Sequence, residues 1–173
     1  MGIQLANIST KAPKEFSKDE TKSETAAILE ELDELQNLLY ASSKYALLVV
    51  IQGLDASGKD GVIKNVFGTL NPQGVTVKSF KAPTPDELAH DFLWRVHRES
   101  PARGMIQIFN RSQYEDILVT RVHKWCDDET ASKRMNAIND FERLMQEHGN
   151  TIMLKFYLHV SREEQAERLQ ERF

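Results

Sequence analysis

Apolar residues recur at helical spacing in the first part of the chain, after a polar start. Residues 1–20 are polar and carry three lysines around Pro13, which is typical of a flexible arm. Over residues 21–43, the apolar positions that lie three or four apart are Ile28, Leu32, Leu35 and Leu39. This pattern predicts an amphipathic helix whose apolar stripe packs against a core or, alternatively, against a second copy of the chain.

Four short apolar runs predict β-strands, and segments with helical patterns separate them. The run 45–51 is apolar without interruption, which indicates a strand buried on both faces of a parallel sheet. The other strands are predicted at 75–80, 105–109 and 152–160, and the helices at 59–70, 84–99, from 112, at 131–147 and from 162. Such alternation predicts an α/β fold with a mostly parallel sheet, in which ligands bind where the strands end.

The predicted helix 84–99 has a clear start signal. Thr84 can cap it, with Pro85 in the first turn and Glu87 completing a capping box. We expect its inner face to carry Leu88, Phe92 and Val96. Further along, the acidic residues 127–129 are predicted to form a loop before the helix 131–147.

The composition is that of an ordinary globular protein. The 173 residues suit one domain with an N-terminal extension, and the formal net charge is −4. A negative balance disfavours broad nucleic-acid binding, which requires many cations facing phosphates. Cys126 is the sole cysteine, so an internal disulfide is excluded and a reducing cytoplasm is the expected location. No apolar stretch approaches the roughly 20 residues of a membrane span, so we expect no membrane partner.

A glycine-rich loop lies between the first predicted strand and the next helix. Residues 53–59, Gly-Leu-Asp-Ala-Ser-Gly-Lys, match the pattern G-x-x-x-x-G-K. In such a loop the backbone N–H groups point inward at phosphate oxygens, the helix N-terminus adds partial positive charge, and the lysine reaches the phosphate being transferred. We therefore predict phosphate binding by Gly53, Ala56, Ser57, Gly58, Lys59 and Asp60.

Two carboxylates set this loop apart from a simple anion site. Asp55 lies inside the loop, and Asp60 stands where many phosphate-loop enzymes carry Ser or Thr. Together with Lys59 they give a local charge of −1, the wrong sign for a bare anion. A carboxylate and a phosphate about 4 Å apart repel by roughly 1 to 4 kcal/mol, which an intervening Mg²⁺ would remove. We predict a metal role for Asp55, whereas Asp60 either shares that role or only caps its helix.

A second polar segment, 110–116, follows the third predicted strand. Arg111 at the end of that strand can pair with a phosphoryl group, and Glu115 and Asp116 can hold a metal. An arginine–glutamate pair taken alone is as readily an ordinary surface salt bridge. Other basic residues in the middle of the chain either line a polyanion channel or form solvated surface: Lys81, Arg95, Arg98 and Arg121.

Several segments, taken in order, closely resemble the polyphosphate kinase 2 family of P-loop kinases. They are Gly-Leu-Asp-Ala-Ser-Gly-Lys-Asp-Gly at 53–61, Asn-Pro-Gln-Gly at 71–74, Ser-Phe-Lys-Ala-Pro at 79–83, His-Asp-Phe-Leu-Trp-Arg at 90–95 and Phe-Asn-Arg-Ser-Gln-Tyr-Glu-Asp at 109–116. The match continues through 138–142 and 154–161. The resemblance implies a three-layer P-loop kinase fold over 21–173 with an N-terminal helical extension. Family members continue past the position of Phe173 into a helical lid, so the resemblance leads us to expect a core without its C-terminal part and lid.

The same resemblance implies an activity and roles for the candidate residues. Family members transfer a phosphoryl group between inorganic polyphosphate and AMP, ADP or GDP, using Mg²⁺ or, as a possible substitute, Mn²⁺. Their pattern places Lys59 on the transferred phosphate, Arg111 on the phosphate chain, and Asp55 and Asp116 with Glu115 on the metal. Lys81, Arg95 and Arg121 are further expected phosphate contacts. A homo-oligomer, dimeric or tetrameric, is the expected assembly.

Two other functions stay open at this point. An ATP-dependent nucleoside monophosphate kinase shares the phosphate loop, although Asp60 and the segment 110–112 disfavour it. A non-catalytic phosphate-binding or oligomerisation module is favoured by the missing lid, because phosphoryl transfer depends on excluding water and on cations over the developing charge. The choice of phosphate donor and the presence of turnover separate these possibilities.

Overall fold

The computed structural model describes residues 4–171 as seven α-helices around a four-stranded sheet. The strands are β1 (Ala46–Gly53), β2 (Val75–Ser79), β3 (Ile106–Asn110) and β4 (Thr151–Leu158). The helices are α1 (Lys18–Ser42), α2 (Lys59–Val62), α3 (Pro85–Leu88), α4 (Trp94–His97), α5 (Glu115–Val122), α6 (Asp128–Gly149) and α7 (Arg162–Gln170). In the part of the chain described, no helix is long and apolar enough to cross a membrane.

The sheet is parallel throughout, in the order β2-β3-β1-β4. Its central strand β1 is buried on both faces, as the unbroken apolar run predicts. Leu48 and Val50 pack into one apolar cluster with Phe109, while Val49 and Ile51 pack into another on the opposite face. Helices cover both clusters, so the predicted three-layer α/β architecture is confirmed. All four strands end at the same edge, which brings the loops after them together.

The N-terminal helix α1 begins at Lys18, three residues before the prediction, because Ser17 caps it. The Ser17 hydroxyl accepts from the Glu20 amide at 3.3 Å. Leu32 and Leu39 pack on the core as predicted, whereas Ile28 and Leu35 of the same stripe are exposed. Residues 4–17 precede α1 and include a short 3₁₀ turn at Leu5–Asn7, while residues 1–3 of the predicted arm lie outside the described residues. The division into an arm and a core stays a prediction.

The predicted helix 84–99 is wrong as a single element. The Thr84–Glu87 capping box forms as expected, but α3 ends at Leu88 and α4 starts at Trp94. Asp91 interrupts the helix, because its carboxylate accepts from the amides of Leu93 and Trp94 at 2.9 and 3.1 Å. The break leaves Leu88 exposed, contrary to prediction, while Val96 is fully buried.

The acidic residues 127–129 form a helix start and not the predicted loop. The Asp127 carboxylate caps α6 by accepting from the Thr130 amide at 2.7 Å. Asp128 and Glu129 then occupy the first turn, where negative charge interacts favourably with the helix dipole.

The helix predicted for 59–70 differs from the observed structure. Helix α2 ends at Val62 and continues into a π-helical turn, Ile63–Phe67.

Candidate phosphate-binding site

The glycine-rich loop curls between the end of β1 and the start of α2. The loop turns so tightly that two of its positions favour glycine. A Cβ at Gly53 would lie 2.5 Å from the Ser57 hydroxyl, and Gly58 has a left-handed φ of 97°. Ala56 also takes a left-handed φ, of 61°, which is uncommon for a residue with a side chain. Within residues 4–171, the amides of Ala56, Gly58, Lys59 and Asp60 donate to no protein acceptor.

The lysine of the loop is buried, and the backbone of the loop curls around its ammonium. Lys59 is only 8% exposed, and its ammonium donates to the carbonyls of Gly53 and Leu54, both at 2.8 Å. Burial lowers the pKa of Lys59, and the nearby Arg111 lowers it further, against the opposing influence of Asp55, Glu115 and Asp60. Lys59 and the loop residues whose amides are free line the same cleft, as a phosphate-binding loop requires.

Arg111 joins the loop to the end of the neighbouring strand β3. Its guanidinium contacts the Asp55 carboxylate at 2.6 Å and that of Glu115 at 3.5 Å. Parallel pairing of β1 with β3 sets this distance, because Ile51 lies opposite Asn110. Asp55 has a 68% exposed side chain and is thus accessible to an ion from solvent. The structure brings three predicted site residues together here.

Asp60 is held by the amide side chain of Asn110. The Asn110 Nδ2 donates to Asp60 Oδ1 at 2.7 Å. This contact ties the first turn of α2 to the end of β3. Both roles considered for Asp60, as a metal ligand and as a support of its helix, stay predictions.

Arg95 and Asp116 form a buried ion pair with each other. They are 6% and 9% exposed, and their charged groups are 3.0 Å apart. Arg95 also donates to the Lys81 carbonyl at 2.9 Å and lies 3.7 Å from Glu87. We predicted phosphate binding by Arg95 and metal binding by Asp116. For these roles the ion pair would have to separate, or each side chain would have to bind through its small exposed part.

The loop, Arg111 and the buried pair line one cleft of about 1100 Å³. Lys81 lies in its wall, whereas Arg121 lies outside it and pairs with Asp128 at 2.5 Å. The charged lining consists of five basic side chains, Lys59, Lys81, Arg95, Arg111 and Arg134, and five acidic ones, Asp55, Asp60, Glu87, Glu115 and Asp116. Because these charges balance, a polyanion in the cleft needs additional positive charge.

The acidic side chains of the cleft suit a metal ion that phosphate oxygens and water also ligate. Within residues 4–171, no three Asp, Glu, His or Cys side chains are grouped as a ready metal site. Mg²⁺ at phosphate sites commonly has one or two protein carboxylates, with phosphate oxygens and water as the other ligands. Asp55, exposed beside the loop, with Glu115 next to it, fits that requirement.

A buried polar network behind the site was missed in the sequence. Glu142 of α6 accepts from Tyr114 at 2.8 Å and from Gln113 at 3.1 Å, and it is paired with Lys155 of β4. The network anchors the segment that carries Arg111 and Glu115. Spacing could have revealed it, because Glu142 falls on the same helix face as the buried Ile138.

Comparisons with known proteins place these features in a family. A family model described as polyphosphate kinase 2 matches residues 15–173. The AMP/ADP-polyphosphate phosphotransferase of Meiothermus ruber is 48% identical over 169 residues, which cover 92% of this chain and 63% of that relative. The ADP-polyphosphate phosphotransferase of Rhodopseudomonas palustris is 45% identical over 81% of this chain and 52% of its own length.

A solved structure supports the same relationship in three dimensions. The crystal structure of polyphosphate kinase 2 from Arthrobacter aurescens superposes with a TM-score of 0.94 at 41% identity. The superposition covers 99% of this chain and 62% of that one. The chain thus spans less than two thirds of the length of these relatives.

Proposed function

Since this chain belongs to the polyphosphate kinase 2 family, we propose that it transfers a phosphoryl group between inorganic polyphosphate and AMP or ADP, with Mg²⁺ as cofactor. The similar proteins of Meiothermus ruber and Rhodopseudomonas palustris, an AMP/ADP- and an ADP-polyphosphate phosphotransferase, support this substrate pair. The observation that carries the proposal is the convergence of Lys59, Asp55 and Arg111 at the mouth of a loop with free amides. A cytoplasmic location and a homo-oligomeric assembly belong to the same proposal.

The chain's own residues neutralise charge and fix the orientation of the phosphates. The loop amides and the Lys59 ammonium donate hydrogen bonds to the oxygens of the phosphoryl group. The charge of this group spreads over three oxygens during transfer. Arg111 exchanges its contact with Asp55 for a phosphate, since its guanidinium lines the same cleft as the loop and pairs well with phosphate oxygens. This exchange frees Asp55, which with Glu115 or Asp116 would hold Mg²⁺. The ion would supply the positive charge that the balanced cleft lacks.

An assay of the donor tests the proposal. The chain is incubated with polyphosphate, ADP and Mg²⁺, and ATP formation is followed. Lys59→Ala is expected to lower the rate by about 100-fold or more, because a charge that acts on the transition state is lost. Lys64→Ala is the matched control, since Lys64 is an exposed lysine just beyond α2. It should leave the rate within about twofold.

Three results would contradict the proposal. Equal rates in the Lys59 and Lys64 variants would remove the phosphate loop from the reaction. Transfer to AMP from ATP but not from polyphosphate would instead favour a nucleoside monophosphate kinase. Binding of polyphosphate without turnover at any enzyme concentration would favour the non-catalytic module.

A further inference from the structure

Helix α7 contacts the outer side of the phosphate loop through two side chains. Gln165 Nε2 donates to the Asp55 carbonyl at 2.9 Å, and Arg168 Nη1 donates to the Ala56 carbonyl at 3.2 Å. These contacts join parts of the chain more than a hundred residues apart, and both go to the backbone of the loop. They involve neither the sheet nor an apolar cluster. Their position indicates an effect on the shape of the loop.

Each contact fixes the direction of one peptide group. In a planar trans peptide, the C=O of one residue and the N–H of the next point in opposite directions. Holding the Asp55 carbonyl toward α7 therefore turns the Ala56 amide away from α7, and this amide has no protein acceptor within residues 4–171. Holding the Ala56 carbonyl likewise orients the Ser57 amide, which closes the turn by donating to Leu54 at 3.1 Å.

The peptide groups that α7 holds flank a strained position. Ala56 has a left-handed φ of 61°, a conformation that persists in a residue with a side chain only when its surroundings fix it. Arg168 also lies against the next turn of the loop, since a Cβ at Gly58 would be 3.4 Å from its Nη1. Without these contacts, the left-handed position of Ala56 would lose two of the hydrogen bonds that fix the backbone around it.

Arg168 is itself held in place within α7. Glu164, one turn earlier, accepts from Arg168 Nε at 2.7 Å, which leaves the Nη1 group directed at the loop. The Ser161 hydroxyl caps the same turn by accepting from the Glu164 amide at 3.1 Å. Helix α7 follows β4 after a short connection, so the sheet sets the position of both donors.

We propose that Gln165 and Arg168 are positioning residues that hold the phosphate loop in its anion-binding conformation. They act through the carbonyls of Asp55 and Ala56 and need no contact with the substrate. The inference rests on the proposed function only for the identity of the anion, inorganic polyphosphate. The effect on the loop exists in the free protein.

Two measurements on the same variants test this inference. Backbone amide hydrogen exchange at Ser57, whose amide donates to the Leu54 carbonyl, is measured without ligand, and binding of inorganic tripolyphosphate is measured by calorimetry. Arg168→Ala and Gln165→Ala should each speed exchange in the loop and weaken binding by about three- to tenfold, as expected for the loss of one hydrogen bond. Arg168→Lys keeps a donor and should restore most of both properties.

Arg162→Ala is the matched control, because Arg162 is an exposed arginine of the same helix. It removes the same charge and should change neither loop exchange nor affinity. Circular dichroism melting identifies any variant whose loss comes from unfolding of the whole chain.

The possible outcomes separate this inference from the proposed function. Unchanged exchange in both Arg168→Ala and Gln165→Ala would overturn the inference, whatever the binding result. Equal weakening by Arg162→Ala and Arg168→Ala, with Gln165→Ala unaffected, would also overturn it in favour of a general charge effect. Failure of the unaltered chain to bind tripolyphosphate would contradict the proposed function, while the exchange comparison would still decide the inference.

Discussion

At the scale of single residues, the site is held together by contacts that a bound phosphate would replace in the proposed reaction. Lys59 donates to carbonyls of its own loop, and Arg111 neutralises Asp55. These contacts keep buried or crowded charges partnered while no anion is bound. The sequence predicted that all three residues serve one site. It could not predict that Arg95 and Asp116 pair with each other, because only the fold brings α4 against α5.

Asp55→Asn should separate metal binding from phosphate binding. Without the carboxylate charge, the Mg²⁺ concentration that half-saturates the reaction should rise about 10- to 150-fold, since a charged ligand contributes roughly 1.5 to 3 kcal/mol. In the absence of Mg²⁺, the variant should bind tripolyphosphate at least as tightly as the unaltered chain, because a repulsive charge is gone.

Asp86→Asn serves as the control for this change. Asp86 is an exposed residue of α3 outside the lining of the cleft. Its substitution should alter neither property. An unchanged Mg²⁺ requirement in Asp55→Asn would show that Asp55 does not hold the ion.

The lowered pKa of Lys59 predicts an alkaline limit for binding. Burial is the main cause, and the pKa lies below the usual 10.5 in the free protein. The ammonium binds phosphate and the neutral amine does not, so tripolyphosphate affinity should fall as pH rises through that lowered value. Calorimetry across alkaline pH measures this fall in affinity. The fall should be absent in Lys59→Ala. If affinity falls equally with pH in the unaltered chain and in Lys59→Ala, Lys59 does not bind the phosphate.

The lowered pKa of Lys59 also makes the free energy of unfolding depend on pH. Between the lowered folded value and the usual value, the unfolded chain binds more protons at Lys59 than the folded chain does. The contribution of Lys59 to the free energy of unfolding therefore rises with pH in this window. The free protein is penalised for burying the ammonium, and bound phosphate removes the penalty.

At the scale of elements, the segment after β3 depends on α6 and β4. Glu142 receives hydrogen bonds from Gln113 and Tyr114 and is paired with Lys155. Burial alone would lower the pKa of Lys155, but the contacts with Glu142 and Tyr114 outweigh burial and raise it. The pair therefore stabilises the fold fully below the usual lysine value of 10.5, and its contribution is lost as pH rises through the raised value.

Glu142→Ala should be strongly destabilising. It removes the acceptor of the buried Gln113, the half-buried Tyr114 and the exposed Lys155, and we expect a loss of about 3 kcal/mol in the free energy of unfolding by urea. Glu147→Ala, at an exposed site of the same helix, should cost less than about 0.5 kcal/mol. A loss in Glu142→Ala no larger than in Glu147→Ala would mean that the network does not support the segment.

Element boundaries show where sequence patterns suffice and where they fail. The uninterrupted apolar run of β1 and the Thr84–Glu87 capping box are local signals, and both are confirmed. The break at Asp91 was missed because an aspartate within a helical pattern can face solvent or bond to the backbone, and tertiary packing decides which. The start of α6 was missed because a run of acidic residues suits a loop and a helix N-terminus equally well.

At the scale of the whole molecule, parallel strands and balanced charge explain the site. Strand order β2-β3-β1-β4 puts the loops after β1 and β3 side by side, so residues 56 positions apart, Asp55 and Arg111, come into contact. The fold class followed from the alternation of strands and helices, and the family from the order of its motifs. The contacts of α7 with the loop could not be predicted, because they go to backbone carbonyls, which every residue carries whatever its side chain.

The central claim is that the loop of residues 53–59 binds a chain of phosphates through inward amides and Lys59. A crystal soaked with tripolyphosphate and Mg²⁺ tests it most directly. We predict a phosphate inside the loop with its oxygens about 3 Å from the Lys59 ammonium and the free amides, and Arg111 moved from Asp55 onto a phosphate. A loop without bound phosphate, with the Lys59 contacts to Gly53 and Leu54 and the Asp55–Arg111 pair intact at saturating ligand, would contradict the account.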